Sequence, residues 1–494
     1  MRPELFRPAG SGYRLLPFRF MRWPGGEVLV VNEVGEHLFL RDDTLRALVN
    51  RRLPRDHPDY LDLKAKHFLC DDLGIAIDLL ATQYRTKKSF LEGFTKLHMF
   101  VVTLRCDHSC RYCQVSRVSD DRPRYDMSEE TARQAVDLMF CSPSPGLKVE
   151  FQGGEPLLNF DRIRSIVERC EEINQLERRD VEYVVATNLA PLTDEMLCFF
   201  RDHRVLLSTS LDGPQLLHDA NRPRRGNNSY ALTLANLHRA REVLGQDRIS
   251  ATMTTTQRSL DLPREIVDEY VRQGFSSIFL RAVSPYGFAL RTGEAQRYAA
   301  RQFLDFYKQA LSRIIEVNRQ GYSLVEVYSQ ILLTKMLTPF ATGYVDLQSP
   351  AGAGIGAVAY NYDGDVYAGD EARMLGEMGD RRFRLGNVHR DPFEEIFHGE
   401  TLQALVTASI TEAMPGCAEC AFLPFCGADP IFHHATQGDV VGHRPTSAFC
   451  ARNMGMLTHL FNLLRGGDAF TVHLLTGWAT GGQGVGPEIN AETA

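Results

Sequence analysis

Three cysteines on one short loop constrain this chain more than any other feature of its sequence. Residues 97–104 form a largely apolar run that predicts a buried strand, and Cys106, Cys110 and Cys113 follow it in a C-x3-C-x2-C pattern. Three thiolates at this spacing can bind three irons of a 4Fe–4S cluster. A fourth cysteine is missing from the spacing, so the fourth iron would be open to a ligand that is not a protein side chain.

Two other uses of such cysteines fit less well. Structural disulfides need an oxidising compartment and an even set of partners, and a structural zinc site usually takes four protein ligands. The cluster is favoured because the triplet follows a strand and because Tyr112 stands directly before its last cysteine. With that aromatic residue, the triplet resembles the signature of the radical S-adenosylmethionine (SAM) enzymes.

The composition places the chain among ordinary globular proteins. Its 494 residues allow about three domains, and hydrophobic residues make up 44% and charged residues 24% of the chain. The net charge of −7 does not favour a nucleic-acid partner. We expect a cytoplasmic protein with no membrane partner, because a secretion signal and a run of about 20 apolar residues are both missing. The cysteines outside the motifs, expected to be buried small hydrophobes, are Cys70, Cys141, Cys170 and Cys198.

From residue 97 onward, strand patterns alternate with helix patterns. The predicted strands are 97–104, 147–152, 181–187, 205–210, 248–254 and 277–283, and the predicted helices are 128–140, 160–174, 193–202, 229–244, 261–273 and 294–318. Six such units predict an α/β fold with a parallel sheet curled into a partial (βα)6 TIM-like barrel. The loops after the strand ends should then form the active site.

The motifs fall on those loops. After the second strand, Gly153 and Gly154 leave bare backbone for a ligand, and Glu155 beside them can bind an ammonium group. The resemblance implies that this segment receives the amino group of SAM, although Gly-Gly before Pro is often only a turn. It also implies SAM contacts from Tyr112 and from residues after the third and fourth strands. These residues are Thr187, Asn188, Ser210 and Arg222, for which polar strand ends and, for the arginine, a surface ion pair are the alternatives.

A second cysteine motif lies near the C-terminus and resembles the SPASM extension of peptide-modifying enzymes. In full form that extension binds two auxiliary 4Fe–4S clusters. The resemblance places the usual ligands of the first cluster at about Ala351, Gly369 and Pro430, none of which is cysteine. The positions of the second cluster are all filled, by Cys417, Cys420, Cys426 and Cys450. One auxiliary 4Fe–4S cluster is therefore predicted, with a four-cysteine zinc site as the alternative and His433, His434 and His443 as further candidate ligands.

Asp370 follows the replaced ligand position at Gly369. In the sulfatase-maturing relatives an aspartate at this place is a proposed proton acceptor, so Asp370 is a candidate general base here. An exposed loop aspartate is the alternative.

The first 95 residues predict a separate module of three short strands followed by helices. It resembles winged-helix-like elements that bind the leader of a precursor peptide along a sheet edge, and the alternative is a structural cap on the barrel. The predicted domains are an N-terminal α+β module over 1–95, a radical SAM partial barrel over 96–320, a helical linker over 321–346, a SPASM-like domain over 347–470 and a flexible tail over 471–494.

Residues 18–36, 84–91 and 97–110 together resemble the B-type radical SAM maturases of the His-Xaa-Ser system. The resemblance implies reductive cleavage of SAM to a 5′-deoxyadenosyl radical, which takes a hydrogen from a precursor with His-Xaa-Ser repeats. It also implies a reductant such as flavodoxin or ferredoxin, and allows a companion radical SAM maturase. The alternatives are a non-catalytic iron–sulfur protein that binds or senses the precursor, and a formylglycine-forming enzyme like the sulfatase maturases.

Overall fold

A computed structural model describes residues 12–118 and 121–481 of the chain. Its strands are β1 (Arg14–Leu15), β2 (Phe18–Trp23), β3 (Glu27–Asn32), β4 (His37–Arg41), β5 (Leu69–Cys70), β6 (Leu97–Thr103), β7 (Gly146–Gly153), β8 (Asp180–Ala186), β9 (Leu206–Ser210), β10 (Ile249–Thr255), β11 (Ser277–Ile278), β12 (Leu280–Ala282), β13 (Val325–Glu326), β14 (Ala357–Tyr360), β15 (Asp365–Tyr367) and β16 (Arg384–Asn387).

The helices pack mostly around the sheet. They are α1 (Asp42–Val49), α2 (Tyr60–Ala65), α3 (Leu73–Lys87), α4 (Arg122–Tyr125), α5 (Glu129–Met139), α6 (Phe160–Glu177), α7 (Asp194–Asp202), α8 (Gln215–Asn221), α9 (Ser229–Leu244), α10 (Pro263–Arg272), α11 (Gly287–Arg291), α12 (Ala300–Arg319), α13 (Val327–Leu337), α14 (Asp370–Glu377), α15 (Phe393–His398), α16 (Glu400–Ala408), α17 (Pro430–Gln437), α18 (Ala448–Gly466) and α19 (Ala469–Thr480). Side-chain caps fix several starts: Ser128 accepts from the amide of Thr131 at α5, and Thr193 accepts from the amide of Met196 at α7.

The predicted α/β fold with a parallel central sheet is confirmed. The strands of the main sheet follow the order β12-β10-β9-β8-β7-β6-β14-β15-β16, and they are parallel from β12 to β14. Every residue of β6 is buried, as its apolar sequence predicts. The strand expected at 277–283 is instead split at Phe279 into β11, which pairs with β13, and β12, which pairs with β10.

The C-terminal domain continues this sheet. Strand β14 pairs in parallel with β6, with Tyr360 opposite Phe100, and β15 and β16 add antiparallel strands beyond it. The last domain is therefore joined to the barrel through backbone hydrogen bonds. It also holds the start of α14 at the same cavity as the cysteine triplet.

The N-terminal module is a three-stranded antiparallel sheet, in the order β2-β3-β4, with its helices on one face. Val28 and Val30 pack toward Leu45 and Leu48 of α1 on that face. Successive side chains of a strand point to opposite faces of the sheet, so Trp23 points away from the face that packs on α1. The Trp23 ring there contacts the aromatic rings of Phe422 and Phe461, so the C-terminal domain covers the second face.

Two expectations are wrong. Cys141, in the turn after α5, and Cys198, on α7, are exposed, whereas Cys70 and Cys170 are buried as expected. The tail assigned to residues 471–494 is helical up to Thr480 within α19, where Leu475 and Trp478 are buried. The remainder of that tail, residues 482–494, lies outside the described residues. No helix in the described ranges is long and apolar enough to span a bilayer.

Candidate active site

A cavity of about 300 Å³ opens at the ends of β7, β8 and β9, beside the loop that follows β6. The structure brings together here all the residues for which the sequence predicted a barrel cofactor contact, together with the candidate base. They are Cys106, Cys110, Tyr112, Cys113, Gly153, Gly154, Glu155, Thr187, Asn188, Ser210, Arg222 and Asp370. These positions span more than half of the sequence, and the strand order is what makes them neighbours.

Backbone hydrogen bonds fix the cysteine loop. The amide of Ser109 donates to the carbonyl of Pro223 at 2.7 Å, and the amide of Cys113 donates to the carbonyl of Cys110 at 3.3 Å. Burial raises the pKa of the Cys106 thiol well above its usual range and that of Cys110 to about 12. The free thiols are therefore protonated near neutral pH, and binding of iron would release protons.

The donor set fits a 4Fe–4S cluster with SAM. No group of three or more His, Cys, Asp or Glu side chains in the described ranges is arranged around a single metal ion. Each cysteine of a cluster binds a different iron, so the three sulfurs need not converge on one point. Arg222 lines the same cavity and offers a guanidinium group, whose Nε lies 3.3 Å from Asp212 Oδ1.

Glu155 is held by three donors. Thr187 Oγ1 and the amide of Leu157 donate to its Oε1 at 2.7 and 3.1 Å, and the amide of Asn188 donates to its Oε2 at 2.8 Å. Only 1% of Glu155 is exposed, and burial raises its pKa to about 7. Thr187 and Asn188 thus orient a carboxylate that ionises near neutral pH.

The two glycines before Glu155 are required by the protein's own backbone. A Cβ atom on Gly154 would lie 2.3 Å from the carbonyl oxygen of Arg105, and one on Gly153 would lie 2.1 Å from that of Thr103. The predicted reason for these glycines was access of a ligand to bare backbone. The space of the missing side chains is instead filled by the chain that leads from β6 into the cysteine loop.

Asp212 connects two of the predicted SAM contacts. It is fully buried, its carboxylate accepts from the hydroxyl of Tyr112 at 2.8 Å, and it forms an ion pair with Arg222 at 3.3 Å. The guanidinium of Arg222 lies over the Tyr112 ring, 5.4 Å from its centroid. The alternative of a surface ion pair for Arg222 is therefore wrong. Asp212 was not among the predicted SAM contacts, although it lies two residues after Ser210.

Asp370 is the first residue of α14 and lines the same cavity. Its Oδ1 accepts from the guanidinium of Arg373 at 2.6 Å, and Arg373 is completely buried. The carboxylate is 15% exposed, so it is not the freely exposed loop aspartate that was the alternative.

The four C-terminal cysteines lie close to one another. Burial is the main cause that raises the pKa of Cys420 to about 11, and the neighbouring thiolates of Cys426, Cys450 and Cys417 raise it further. The ammonium of Lys335 donates to the carbonyl of Cys426 at 3.4 Å.

The three candidate histidines each have another partner. His433 bonds to Ser447, His434 to Asp380 and His443 to Thr446.

The replaced positions of the first auxiliary cluster come together as well. Ala351, Gly369 and Pro430 are far apart in sequence, yet all three line the main cavity. Several carboxylates and an arginine that sequence reasoning missed share the wall around them. They are Glu150, Asp346, Glu371, Asp429 and Arg281. No local pattern marked them, because they come from separate segments that only the folded sheet brings together.

Comparisons with known proteins agree with this site. Residues 100–256 match the sequence profile of the Radical SAM superfamily, and residues 354–421 match that of SPASM, an iron–sulfur cluster-binding domain. An uncharacterized protein of Methanocaldococcus jannaschii is 28% identical over 187 residues, or 37% of this chain, and the match covers 61% of that protein. The serine-type anaerobic sulfatase-maturating enzyme of Bacteroides thetaiotaomicron is 23% identical over 348 residues, with 67% of this chain and 80% of that one covered.

Solved structures share the fold. Native anSMEcpe with bound AdoMet has a TM-score of 0.60 at 16% identity, covering 75% of this chain and 98% of that one. Streptococcus suis SuiB bound to the precursor peptide SuiA has a TM-score of 0.53 at 12% identity, covering 88% and 99%. Radical SAM and SPASM domains imply a 4Fe–4S cluster, SAM and auxiliary iron–sulfur binding, as predicted. The chain therefore contains a radical SAM domain followed by a SPASM domain.

Proposed function

We propose that this protein is a radical SAM maturase that modifies a ribosomally made precursor with His-Xaa-Ser repeats. The observation that carries the proposal is the single cavity that brings Cys106, Cys110 and Cys113 together with Glu155 and Arg222. These groups match the chemistry of SAM: thiolates for the iron cluster, a carboxylate for the amino group and a guanidinium for the carboxylate.

Each set of residues has one task in this proposal. The triplet cysteines hold three irons of the cluster. Glu155, positioned by Thr187 and Asn188, binds the amino group. When bound, the cluster and SAM supply a 5′-deoxyadenosyl radical, which can take a hydrogen that no acid–base group could remove.

Ser210 and Arg222 bind the carboxylate of SAM in this proposal. Asp212 fixes the arginine, because it is buried against both Arg222 and the Tyr112 hydroxyl. Asp370 acts as the general base, since it lies in the same cavity and its carboxylate is oriented by Arg373. The four cysteines of the C-terminal domain would hold the auxiliary 4Fe–4S cluster, which would supply an electron acceptor.

The proposed substrate is a peptide, and two comparisons support this. SuiB has been solved with its precursor peptide SuiA, and anSMEcpe with the peptide Kp18Cys. In this chain one face of the N-terminal sheet packs on its own helices and the other on the C-terminal domain. The edge strands β2 and β4 are then the places where the precursor leader adds a strand, since their outer backbone groups are unpaired within the sheet.

The test is anaerobic reconstitution with iron and sulfide, followed by incubation with SAM, a reductant and the precursor. We expect 5′-deoxyadenosine and a precursor of altered mass, and we expect Cys106→Ala to abolish both. A reconstituted protein with an intact cluster spectrum but no 5′-deoxyadenosine would contradict the enzyme. Modification of the precursor in cells that express only Cys106→Ala would instead favour the non-catalytic binding or sensing protein.

A formylglycine-forming activity is a second candidate, favoured by similarity to the sulfatase-maturating enzymes. The cysteine-type enzyme of Clostridium novyi is 20% identical over 384 residues, which cover 73% of this chain. The replaced ligands at Ala351, Gly369 and Pro430 speak against it. Conversion of a cysteine or serine to formylglycine in a sulfatase peptide, with no change in the His-Xaa-Ser precursor, would decide for this candidate.

A further inference from the structure

Three carboxylates lie at the boundary between the main cavity and a second, smaller one. Asp346, Glu371 and Asp429 line both the cavity of about 300 Å³ and a neighbouring cavity of about 60 Å³. Asp346 precedes the replaced ligand position Ala351, Glu371 is the second residue of α14, and Asp429 caps the start of α17. We name these three residues and the small cavity the acidic recess.

In the described part of the chain, no side chain pairs directly with the acids of the recess. Within the described residues, no other side chain donates a hydrogen bond to Asp346 or Glu371, and Asp429 accepts only from backbone amides, one of them that of Phe432 at 2.8 Å. Arg281 and Arg452 also line the small cavity, yet neither forms an ion pair with any of the three carboxylates. The two guanidinium groups therefore act on Asp346 and Asp429 only through space, without an ion pair.

A buried hydroxyl independently indicates that a ligand belongs there. Tyr286 is 1% exposed and lines the small cavity, but its hydroxyl has no hydrogen-bond partner. Buried polar groups are nearly always paired, and an unpaired one indicates a partner that binds from outside the chain. Tyr344 forms another wall of the same cavity, so the ligand would be enclosed by aromatic rings as well as acids.

The geometry favours an organic cation over a metal ion. Asp346, Glu371 and Asp429 are not arranged around a common metal position. Nitrogen cations such as ammonium, guanidinium and imidazolium can instead bridge acids that are further apart through several N–H donors. Aromatic walls also favour such cations. The small cavity has room for the end of one side chain. The cysteine triplet lines the adjoining main cavity.

We propose that the acidic recess binds the positively charged side chain of a substrate residue close to the residue that is attacked. The substrate class is thereby a peptide with a basic residue, either lysine, arginine or protonated histidine, near the modified position. The proposal deepens the proposed function and rests on it. It places that basic residue next to the part of the main cavity that Ala351, Gly369 and Pro430 line.

The test measures peptide binding by titration calorimetry, with reconstituted, SAM-loaded protein in the absence of reductant. The probes are a His-Xaa-Ser repeat peptide and copies in which the histidine is replaced by lysine or by glutamine. We expect Asp346→Asn and Glu371→Gln each to weaken the histidine and lysine peptides at least about tenfold and the glutamine peptide less than about twofold. Glu395→Gln is the matched control, because Glu395 is an exposed acid outside both cavities.

Iron content and circular dichroism verify that each variant is folded. If Asp346→Asn does not fold, Glu371→Gln alone carries the comparison with wild type. Equal affinities of wild type and variants for the basic peptides would overturn the acidic recess, even if the precursor is modified. Should wild type bind none of the repeat peptides, the precursor assignment fails. N-acetyl-lysine methylamide and its norleucine analogue then replace the peptides as probes. The proposal is overturned if wild type does not prefer the lysine probe, or if the preference is unchanged in Asp346→Asn and Glu371→Gln.

Discussion

The hydroxyl of Thr187 donates to Glu155 Oε1 at 2.7 Å, which fixes a buried carboxylate beside the cysteine loop. Because burial raises the pKa of Glu155 to about 7, this group changes charge in the physiological range. It is an ionised acceptor above that pH and protonated below it. An amino group of SAM would therefore lose its partner as the pH falls.

We expect the Kd for SAM to rise as the pH is lowered from about 8 to about 6, approaching tenfold per unit below the pKa. Equilibrium dialysis with labelled SAM on reconstituted protein measures this. Glu155→Gln keeps an acceptor oxygen but cannot ionise, so it should bind more weakly with a flat profile. A wild-type affinity that is constant over this range would show that Glu155 does not bind the amino group.

The buried Asp212 gives a second prediction. Asp212→Asn leaves the Arg222 guanidinium without its counter-charge and the Tyr112 hydroxyl with a weaker acceptor. Loss of one partner of a buried ion pair costs about 3–5 kcal/mol, so the free energy of unfolding should fall by that amount and SAM affinity should fall with it. Denaturant titration and dialysis measure the two effects. Asp247→Asn, at an exposed aspartate outside the cavity, is the control; equal effects of both variants would contradict the prediction.

Iron content distinguishes the two cysteine sets. The wild type should bind roughly eight irons, since two 4Fe–4S clusters hold four each. Cys106→Ala and Cys417→Ala should each lose about half of the iron, whereas Cys170→Ala, a buried cysteine outside both sets, should keep all of it. Plasma mass spectrometry of iron and zinc checks this. Zinc in place of iron in the Cys106→Ala protein would favour the four-cysteine zinc site.

Local sequence patterns predicted those features of the fold that residues adjacent in the sequence determine. The apolar run of β6, the triplet after it and the α9 boundaries of Ser229 and Leu244 agree with the structure. Interactions between distant segments were beyond such patterns. The pairing of β14 with β6, the role of Asp212 and the carboxylate wall all depend on which loops the sheet brings together.

Residue composition also misled in two places. A flexible tail was predicted from residue 471, but Leu475 and Trp478 are buried and α19 packs against α13 as far as Thr480. Gly154 is the second case. Its glycine is explained by close contact with the Arg105 carbonyl and not by ligand access. Tertiary packing decided both cases.

The interface between the N-terminal module and the C-terminal domain gives a prediction on stability. Trp23 is 6% exposed, contacts Phe422 and Phe461, and donates from Nε1 to Asn462 at 3.0 Å. Trp23→Ala should lower the free energy of unfolding by about 3–5 kcal/mol. Phe20→Ala on the same strand should change it by less than about 0.5 kcal/mol, since Phe20 is 54% exposed. Anaerobic denaturant titration compares the two, and similar losses would show that the interface adds no stability.

Asp370 gives the last prediction, because it separates proton transfer from radical formation. Its carboxylate accepts from Arg373 at 2.6 Å and lines the cavity of the cysteine triplet. If it removes a proton from the substrate radical or its oxidised product, Asp370→Asn should slow product formation about 10²–10⁴-fold. SAM cleavage to 5′-deoxyadenosine should continue, so that the ratio of 5′-deoxyadenosine to modified precursor rises.

Asp370→Glu should restore part of the product, because it retains a carboxylate of the same charge. Arg373→Lys is the companion variant, since it keeps a positive charge beside Asp370 but loses the planar donor pair. Parallel quantification of both products by liquid chromatography and mass spectrometry decides the matter. Equal losses of 5′-deoxyadenosine and modified precursor in Asp370→Asn would assign the residue to substrate or SAM binding, and an unchanged rate of modification would remove it from the active site.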